Sequence, residues 1–175
     1  MTFLLVVTGP PGSGKSTVAR ILADSFGRSV LVEGDAFFAF LARGAIEPWL
    51  PESGPQNEIV VRAAAAATGR FVAGGYATVY DGVLGPWYVA QFAAAADVAE
   101  LQYAILLPPV ERCVRQVASR SGHGFTDEAA TRHMHAEFAR SQIDRRHVLT
   151  DPAGTPDAAA AEVLARLDAG MLRYP

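Results

Sequence analysis

The chain has 175 residues, of which 50% are hydrophobic, and its formal net charge is −3. This length predicts a single domain, residues 1–175, with one site. A slightly acidic chain lacks the basic surface that nucleic-acid binding requires, so no nucleic-acid partner is expected.

Cysteine usage and the first residues indicate where the protein acts. A lone cysteine, Cys113, excludes an intrachain disulfide and favours a reducing compartment, so we expect a cytoplasmic protein. Cys113 lies in a predicted helix with no histidine beside it in sequence, and ordinary packing is expected for it. The stretch MTFLLVVTG is apolar over only six positions and carries no basic leader, which predicts a buried strand. Neither a signal peptide nor a membrane partner is expected, and nothing in the sequence demands a partner subunit.

Short apolar runs alternate with helical stretches along the chain, which is typical of a parallel sheet covered by helices on both faces. Five strands are predicted over residues 3–7, 29–33, 76–81, 101–107 and 147–151. About seven helices are predicted: five end near residues 26, 73, 99, 120 and 140, a short one begins after residue 35, and the last covers 155–167.

Turn and cap residues mark the ends of several elements. Residues 44–56 hold three prolines and two glycines and predict a surface loop. Gly74 and Gly75 are expected to stop the alanine-rich helix before them. Thr126 is expected to cap the helix that ends near Arg140.

The stretch TGPPGSGKST follows the first predicted strand and contains the only lysine of the chain. Residues 9–16 match G-x-x-x-x-G-K-[ST], with an apolar strand before the motif and a helix after it. Glycines let backbone N–H groups converge on phosphate oxygens, and the helix amino end adds a positive dipole. Lys15 is expected to reach the β- and γ-phosphates, and Ser16 to bind Mg²⁺. The predicted nucleotide-binding residues are Gly9, Gly12, Ser13, Gly14, Lys15, Ser16 and Thr17.

The expected nucleotide is ATP. A guanine-specific N-K-x-D motif needs a second lysine, which the chain does not have. The chain is also too short for a large mechanical ATPase. A small phosphotransferase, with a donor site, an acceptor site and a lid, fits the length.

The motifs GPPGSGKST, VEGDAFF, VYDG and VRQVASRSGHGF together resemble the small-molecule kinases of the phosphate-loop class. These are gluconate kinase, shikimate kinase and chloramphenicol phosphotransferase, with the adenylate-kinase architecture behind them. The resemblance implies a three-layer α/β P-loop NTPase fold with strand order 2-3-1-4-5. It also implies a small lid at about residues 119–140, with ATP and Mg²⁺ as ligands.

Two aspartates follow predicted strands. In the resembled families an aspartate beyond the second strand contacts the acceptor hydroxyl as base or orienter, and the matching residue is Asp35, with Glu33 before it. The alternative is that Asp35 caps the helix it precedes. Asp81 resembles the DG aspartate of nucleotide and sugar kinases, where it holds Mg²⁺ or binds the acceptor. The alternative for Asp81 is an Asx turn before Gly82.

The resemblance also implies a lid that carries arginines. In the resembled families a lid arginine covers the transferring phosphate or the adenine, and Arg120, beside Gly122 and Gly124, is the first candidate for this catalytic and nucleotide-binding role. Arg132 and Arg140 lie on the next predicted helix and either reach the site or stay at the surface. His133 and Glu137 have helical spacing, but no complete zinc ligand set is visible.

The acceptor is expected to lie among aromatic residues. Phe38 and Trp87 are candidate acceptor contacts, with ordinary core packing as the alternative. Arg62 follows Glu58 by four positions, so it forms either a helix salt bridge or, as the resemblance implies, a grip on an anionic acceptor group. Few arginines are present on this side, which favours a neutral or weakly charged, partly apolar alcohol.

Three function classes remain at this point. The leading one is transfer of the γ-phosphate of ATP to a hydroxyl of a small molecule, such as an antibiotic or a sugar-like metabolite. The second is a nucleoside or nucleotide kinase. The third is a non-catalytic ATP-binding regulatory module.

Overall fold

The structure is a computed structural model that describes residues 2–119, 127–150 and 154–174. Strands and helices alternate along the chain, as predicted. The strands are β1 (Phe3–Thr8), β2 (Ser29–Glu33), β3 (Ala77–Asp81), β4 (Leu101–Leu106), β5 (Val148–Leu149) and β6 (Arg173–Tyr174). The helices are α1 (Lys15–Asp24), α2 (Asp35–Phe38), α3 (Gly54–Ala73), α4 (Pro86–Ala96), α5 (Val110–Ala118), α6 (Glu128–Arg140) and α7 (Pro156–Asp168), with two 3₁₀ turns at Pro51–Ser53 and Arg145–His147.

The sheet has the strand order β2-β3-β1-β4-β5, all parallel, which confirms the predicted P-loop NTPase topology. In register, Val7 of β1 lies beside Asp81 of β3, and Asp81 lies beside Glu33 of β2. Parallel strands end at one common edge, where ligands of open α/β sheets bind. The phosphate loop and the loops after β2 and β3 therefore start from neighbouring points of that edge.

Helices cover both faces of the sheet because the central strand is apolar on both sides. Leu5 and Val7 pack with α1 and α7, while Leu4 and Val6 pack with α3 and α4. All four side chains are fully buried, which is the pattern of a strand inside a parallel sheet. The helices on the two faces and the sheet between them form the predicted three layers.

The sheet differs from the prediction at its far edge. The fifth strand is shorter than predicted, because residues 145–147 form a 3₁₀ turn whose start is capped by the Asp144 side chain. The His147 ring points inward and Nδ1 bonds the Tyr103 carbonyl at 3.0 Å. A sixth strand, missed from the sequence, pairs antiparallel with β4. It has only two residues, too few for an alternating pattern to be visible.

Two local predictions were wrong for reasons of proline and cap chemistry. The predicted loop ends early: Pro51 starts the 3₁₀ turn and Pro55 lies in the first turn of α3, where a missing N–H costs nothing. The cap of α6 is Asp127, whose side chain accepts a hydrogen bond from the Ala130 amide, while Thr126 lies outside the described residues. Among the described residues, no helix is both long and apolar enough to span a membrane.

Candidate active site

The glycine-rich loop between β1 and α1 is held against the neighbouring strand and helix. A side-chain carbon at Gly9 would lie 2.2 Å from the Leu106 carbonyl oxygen, and one at Gly12 would lie 2.2 Å from the Cys113 carbonyl oxygen. Gly12 also has a φ of 77°, a left-handed conformation that favours glycine. Packing therefore requires glycine at Gly9 and Gly12, whereas at Gly14 an added carbon would meet nothing within 4 Å and the φ of 89° alone favours glycine.

The amino end of α1 presents unoccupied polar groups. The helix begins at Lys15 after left-handed Gly14, and no described side chain caps it. The Ser13 hydroxyl is buried and has no hydrogen-bond partner among the described residues. Lys15 is only 7% exposed, so a buried positive charge lies at a helix end with free N–H groups. This arrangement fits a bound polyphosphate.

Asp81 lies directly beside that helix end. Its carboxylate is buried, and Oδ1 has no hydrogen-bond partner among the described residues. Burial raises the pKa of Asp81, the Lys15 charge and a hydrogen bond from Ser16 lower it, and the charges of Asp35 and Glu33 raise it further, with a net increase. An orphaned buried carboxylate oxygen next to a hydroxyl is a donor set that suits Mg²⁺, which prefers oxygen ligands. The structure thus brings together the two predicted metal ligands.

Asp35 is the first residue of α2 and lies two residues beyond the end of β2. The helix cap is Gly34 and has no side-chain cap bond, so the structure does not bear out the capping alternative for Asp35. The Asp35 carboxylate is exposed and has no hydrogen bond or salt bridge with the described residues. Glu33, by contrast, pairs with Arg20 at 2.7 Å. Of the acids at this edge, Asp35 is the one whose carboxylate is available to a substrate.

Tyr80 lies between the loops that carry the two aspartates. A side-chain carbon at Gly34 would lie 2.3 Å from the Tyr80 hydroxyl, and one at Gly82 would lie 2.9 Å from it. Burial, and then the charges of Asp35 and Asp81, raise the pKa of Tyr80 far above its ordinary value, so the phenol keeps its proton. Sequence reasoning missed Tyr80. The signal that was available is a glycine directly after each of two adjacent strands, Gly34 after β2 and Gly82 after β3.

Phe38, predicted to contact the acceptor, lies one turn after Asp35. It lines a cleft of about 180 Å³ together with Leu41, Ala45, Ile46, Glu47, Pro48 and Gln56. The Gln56 side chain fixes this loop by two hydrogen bonds to the Ile46 backbone, of 2.8 and 2.7 Å. The cleft is smaller than the roughly 300–1,000 Å³ of pockets for drug-sized ligands, so it suits one part of a ligand.

Arg62 and Trp87 have other neighbours. Arg62 pairs with Glu58 at 3.6 Å and lines a cleft of about 240 Å³ between α3 and α4. None of the residues lining that cleft belongs to the phosphate loop or to the loops after β2 and β3. The Trp87 indole lies 5.6 Å from the Phe138 ring and is 47% exposed. The acceptor roles of both residues stay predictions.

Residues 120–126 of the predicted lid lie outside the described residues. Arg120 and His123 are among them. The described part is α6, where Arg132 binds both carboxylate oxygens of Glu111 at 2.7 and 3.0 Å and also binds Glu128. Phe138 on the same helix is buried. In the part of the chain that the structure describes, no cluster of three metal-binding side chains occurs.

The sheet order and the loop between β1 and α1 define a P-loop protein with a kinase-like fold. A family model described as an AAA domain matches residues 4–142. The chain belongs to this AAA-domain family.

Several solved structures share the fold, and two of the three described next are kinases. A sugar kinase from Janibacter sp. HTCC2649 has a TM-score of 0.72 and 24% identity, covering 96% of this chain and 95% of that one. The tunicamycin resistance protein of Deinococcus radiodurans has a TM-score of 0.72 and 12% identity, covering 100% and 99%. A gluconokinase from Sinorhizobium meliloti 1021 has a TM-score of 0.66 and 21% identity, covering 97% and 94%. At these identities the likeness shows the fold.

A curated relative matches over a short stretch. A UPF0200 protein of Aeropyrum pernix is 49% identical over 45 residues, which is 26% of this chain and 24% of the relative. The match therefore spans about a quarter of each protein.

Proposed function

We propose that this protein is a cytoplasmic, Mg²⁺-dependent phosphotransferase that moves the γ-phosphate of ATP to a hydroxyl of a small molecule. One observation carries the proposal: the unpaired Asp35 carboxylate lies at the strand edge next to Asp81, which is buried beside Lys15 and Ser16. A donor site and a proton acceptor for an alcohol thus share one edge of the sheet.

The donor half would be formed by the phosphate loop. Backbone N–H groups from Gly9 to Thr17 would surround the phosphates, and Lys15 would neutralise their charge. Mg²⁺ would be held by Ser16 and Asp81, where it neutralises charge that develops on the β- and γ-phosphates. Arg120 is proposed as a second cation at the transferring phosphate.

The acceptor half would be organised by Asp35. The acceptor oxygen attacks the γ-phosphorus, and the bond from that phosphorus to the β,γ-bridging oxygen breaks, leaving the electron pair on ADP. The proton of the acceptor hydroxyl passes to the Asp35 carboxylate. Phosphoryl transfer asks mainly for positioning and charge stabilisation, so Asp35 acts chiefly by orienting the hydroxyl.

The charge around the site favours an acceptor without an anionic group. Asp35, Asp81 and Glu33 lie at the strand edge, and Glu47 lines the cleft next to Phe38. No cation is among the residues lining that cleft, and Arg62 is engaged by Glu58. Because like charges repel, a phosphate or carboxylate on the acceptor would be disfavoured. An apolar part of the molecule would contact Phe38.

The test is an acceptor-dependent ADP-release assay with MgATP. The panel contains neutral polyols (glycerol, xylitol, glucose), an aromatic diol (chloramphenicol), hydroxy acids (gluconate, shikimate), adenosine and AMP. We expect the wild type to release ADP with a neutral alcohol, and we expect the variant Lys15→Ala to release none. Asp168→Asn, on the exposed end of α7, should behave as wild type.

Other outcomes of that assay would contradict the proposal. Preferential turnover of AMP would indicate a nucleotide kinase. If the protein binds ATP but releases no ADP with any acceptor of the panel, it would be a non-catalytic ATP-binding regulatory module.

A further inference from the structure

The hydroxyl of Tyr80 has no hydrogen-bond partner among the described residues. Tyr80 is 3% exposed, and its ring packs on Phe92 with centroids 4.6 Å apart. Its oxygen is not one of the fully enclosed polar atoms that lack a partner, so the tip of the side chain reaches solvent. Buried tyrosine hydroxyls usually find a partner, because an unmet polar group costs free energy. The partner of this hydroxyl is therefore expected to be water or a bound molecule.

The surroundings of this hydroxyl show which molecule that is. The phenol end lies between Gly34 and Gly82, and each glycine is the immediate neighbour of one of the two site aspartates. A methyl group at either glycine would approach the ring or hydroxyl within 3.0 Å. Because neither glycine has a side chain, there is room between them for the Tyr80 side chain to reach the strand edge. The hydroxyl consequently lies where an acceptor held by Asp35 would be bound.

We propose that the Tyr80 hydroxyl is an acceptor-binding group that donates a hydrogen bond to a second oxygen of the acceptor, beside the reacting hydroxyl. This inference rests on the proposed function and deepens it. A donor on the reacting oxygen itself would lower its nucleophilicity, whereas Asp35 takes only its proton. The acceptor class is therefore an alcohol with a neighbouring hydroxyl or ether oxygen, such as a vicinal diol.

Tyr80→Phe tests this inference because it removes the hydroxyl and keeps the ring that packs on Phe92. The acceptor is the best alcohol of the panel described above, assayed with MgATP. We expect the acceptor KM to rise about tenfold, the effect of one hydrogen bond lost, with ATP affinity and Tm unchanged. Tyr76→Phe is the matched control, because Tyr76 precedes the opposite end of β3 and packs on Phe71.

A second arm uses analogues of that alcohol, each lacking one oxygen. One deoxy analogue should lose about tenfold in kcat/KM with wild type and lose nothing further with Tyr80→Phe. Unchanged acceptor kinetics in Tyr80→Phe, or an equal loss of ATP affinity, would overturn the inference while wild-type turnover still supports the proposed function. A wild type without turnover would overturn both.

Discussion

The Gly34 amide donates a 2.7 Å hydrogen bond to the Asp81 carbonyl oxygen, and this bond joins the two loops that carry the site acids. It continues the parallel pairing of β2 and β3 by one residue beyond the strands. Asp35 is therefore placed by the backbone of Asp81, although 46 residues separate them in the sequence. A change at Gly34 or Gly82 would disturb both halves of the site.

Asp35→Asn should lower kcat by about 100-fold or more, because the amide cannot accept the hydroxyl proton. Binding of ATP should be unchanged, since Asp35 makes no hydrogen bond or ion pair with the phosphate loop in the described structure. Steady-state kinetics with the best acceptor, and titration of an ATP analogue, measure the two quantities. Asp168→Asn serves as the matched control. A kcat within a few-fold of wild type would show that Asp35 is not the base.

Asp81→Asn should stabilise the protein without ligands and prevent its stabilisation by MgATP. The pKa of Asp81 is raised in the fold even with Lys15 nearby, so the folded state prefers a neutral side chain. Without ligands, the wild type should lose stability as pH rises from the ordinary pKa of 3.8 through the raised one. The variant should lack this fall.

Thermal unfolding between pH 4 and 8 checks this expectation. We expect a higher Tm for Asp81→Asn than for the wild type at neutral pH, because the variant removes a buried charge. With MgATP the order should reverse. A lower Tm for the variant without ligands would contradict this expectation. It would mean that the attraction between the Lys15 and Asp81 charges stabilises the fold more than burial of the Asp81 carboxylate destabilises it.

Gly12→Ala should abolish ATP binding and lower the Tm. The added methyl would meet the Cys113 carbonyl at 2.2 Å, and the φ of 77° is unfavourable for alanine. Gly27→Ala is the control, because a methyl there meets nothing within 4 Å. Calorimetric titration with ATP measures the loss. Equal ATP affinity in the two variants would contradict the packing of the loop against α5.

His147 should make the protein sensitive to mild acid. Burial lowers its pKa below the ordinary 6.5, outweighing the hydrogen bond to the Tyr103 carbonyl. The unfolded chain then binds more protons than the folded one below about pH 6.5, so stability present at neutral pH is lost as pH falls.

The slope of Tm between pH 7 and 5 measures this effect. His147→Gln should flatten the slope, whereas His133→Gln, on the exposed face of α6, should leave it unchanged. Parallel slopes for wild type and His147→Gln would assign the acid sensitivity to other groups.

Cys113 shows how far sequence reasoning reached for buried groups. Ordinary packing was predicted for it, and the structure buries it beneath the phosphate loop, where burial raises the pKa of the thiol to about 11. This packing was expected from its place in a predicted helix with no histidine beside it in sequence. The contact with Gly12 was not predictable, because it joins residues 101 positions apart in the sequence.

The sequence by itself determined the features that local chemistry specifies. Eight consecutive residues carry the phosphate loop, and apolar runs with helical stretches between them identify five strands and seven helices. The tertiary structure alone decided which groups meet. It placed Ser16 and Lys15 beside Asp81, left Asp35 without a partner, paired Arg62 with Glu58, and set Tyr80 between two glycines. Such contacts depend on strand register and helix packing, which bring distant residues together and leave no local pattern in the sequence.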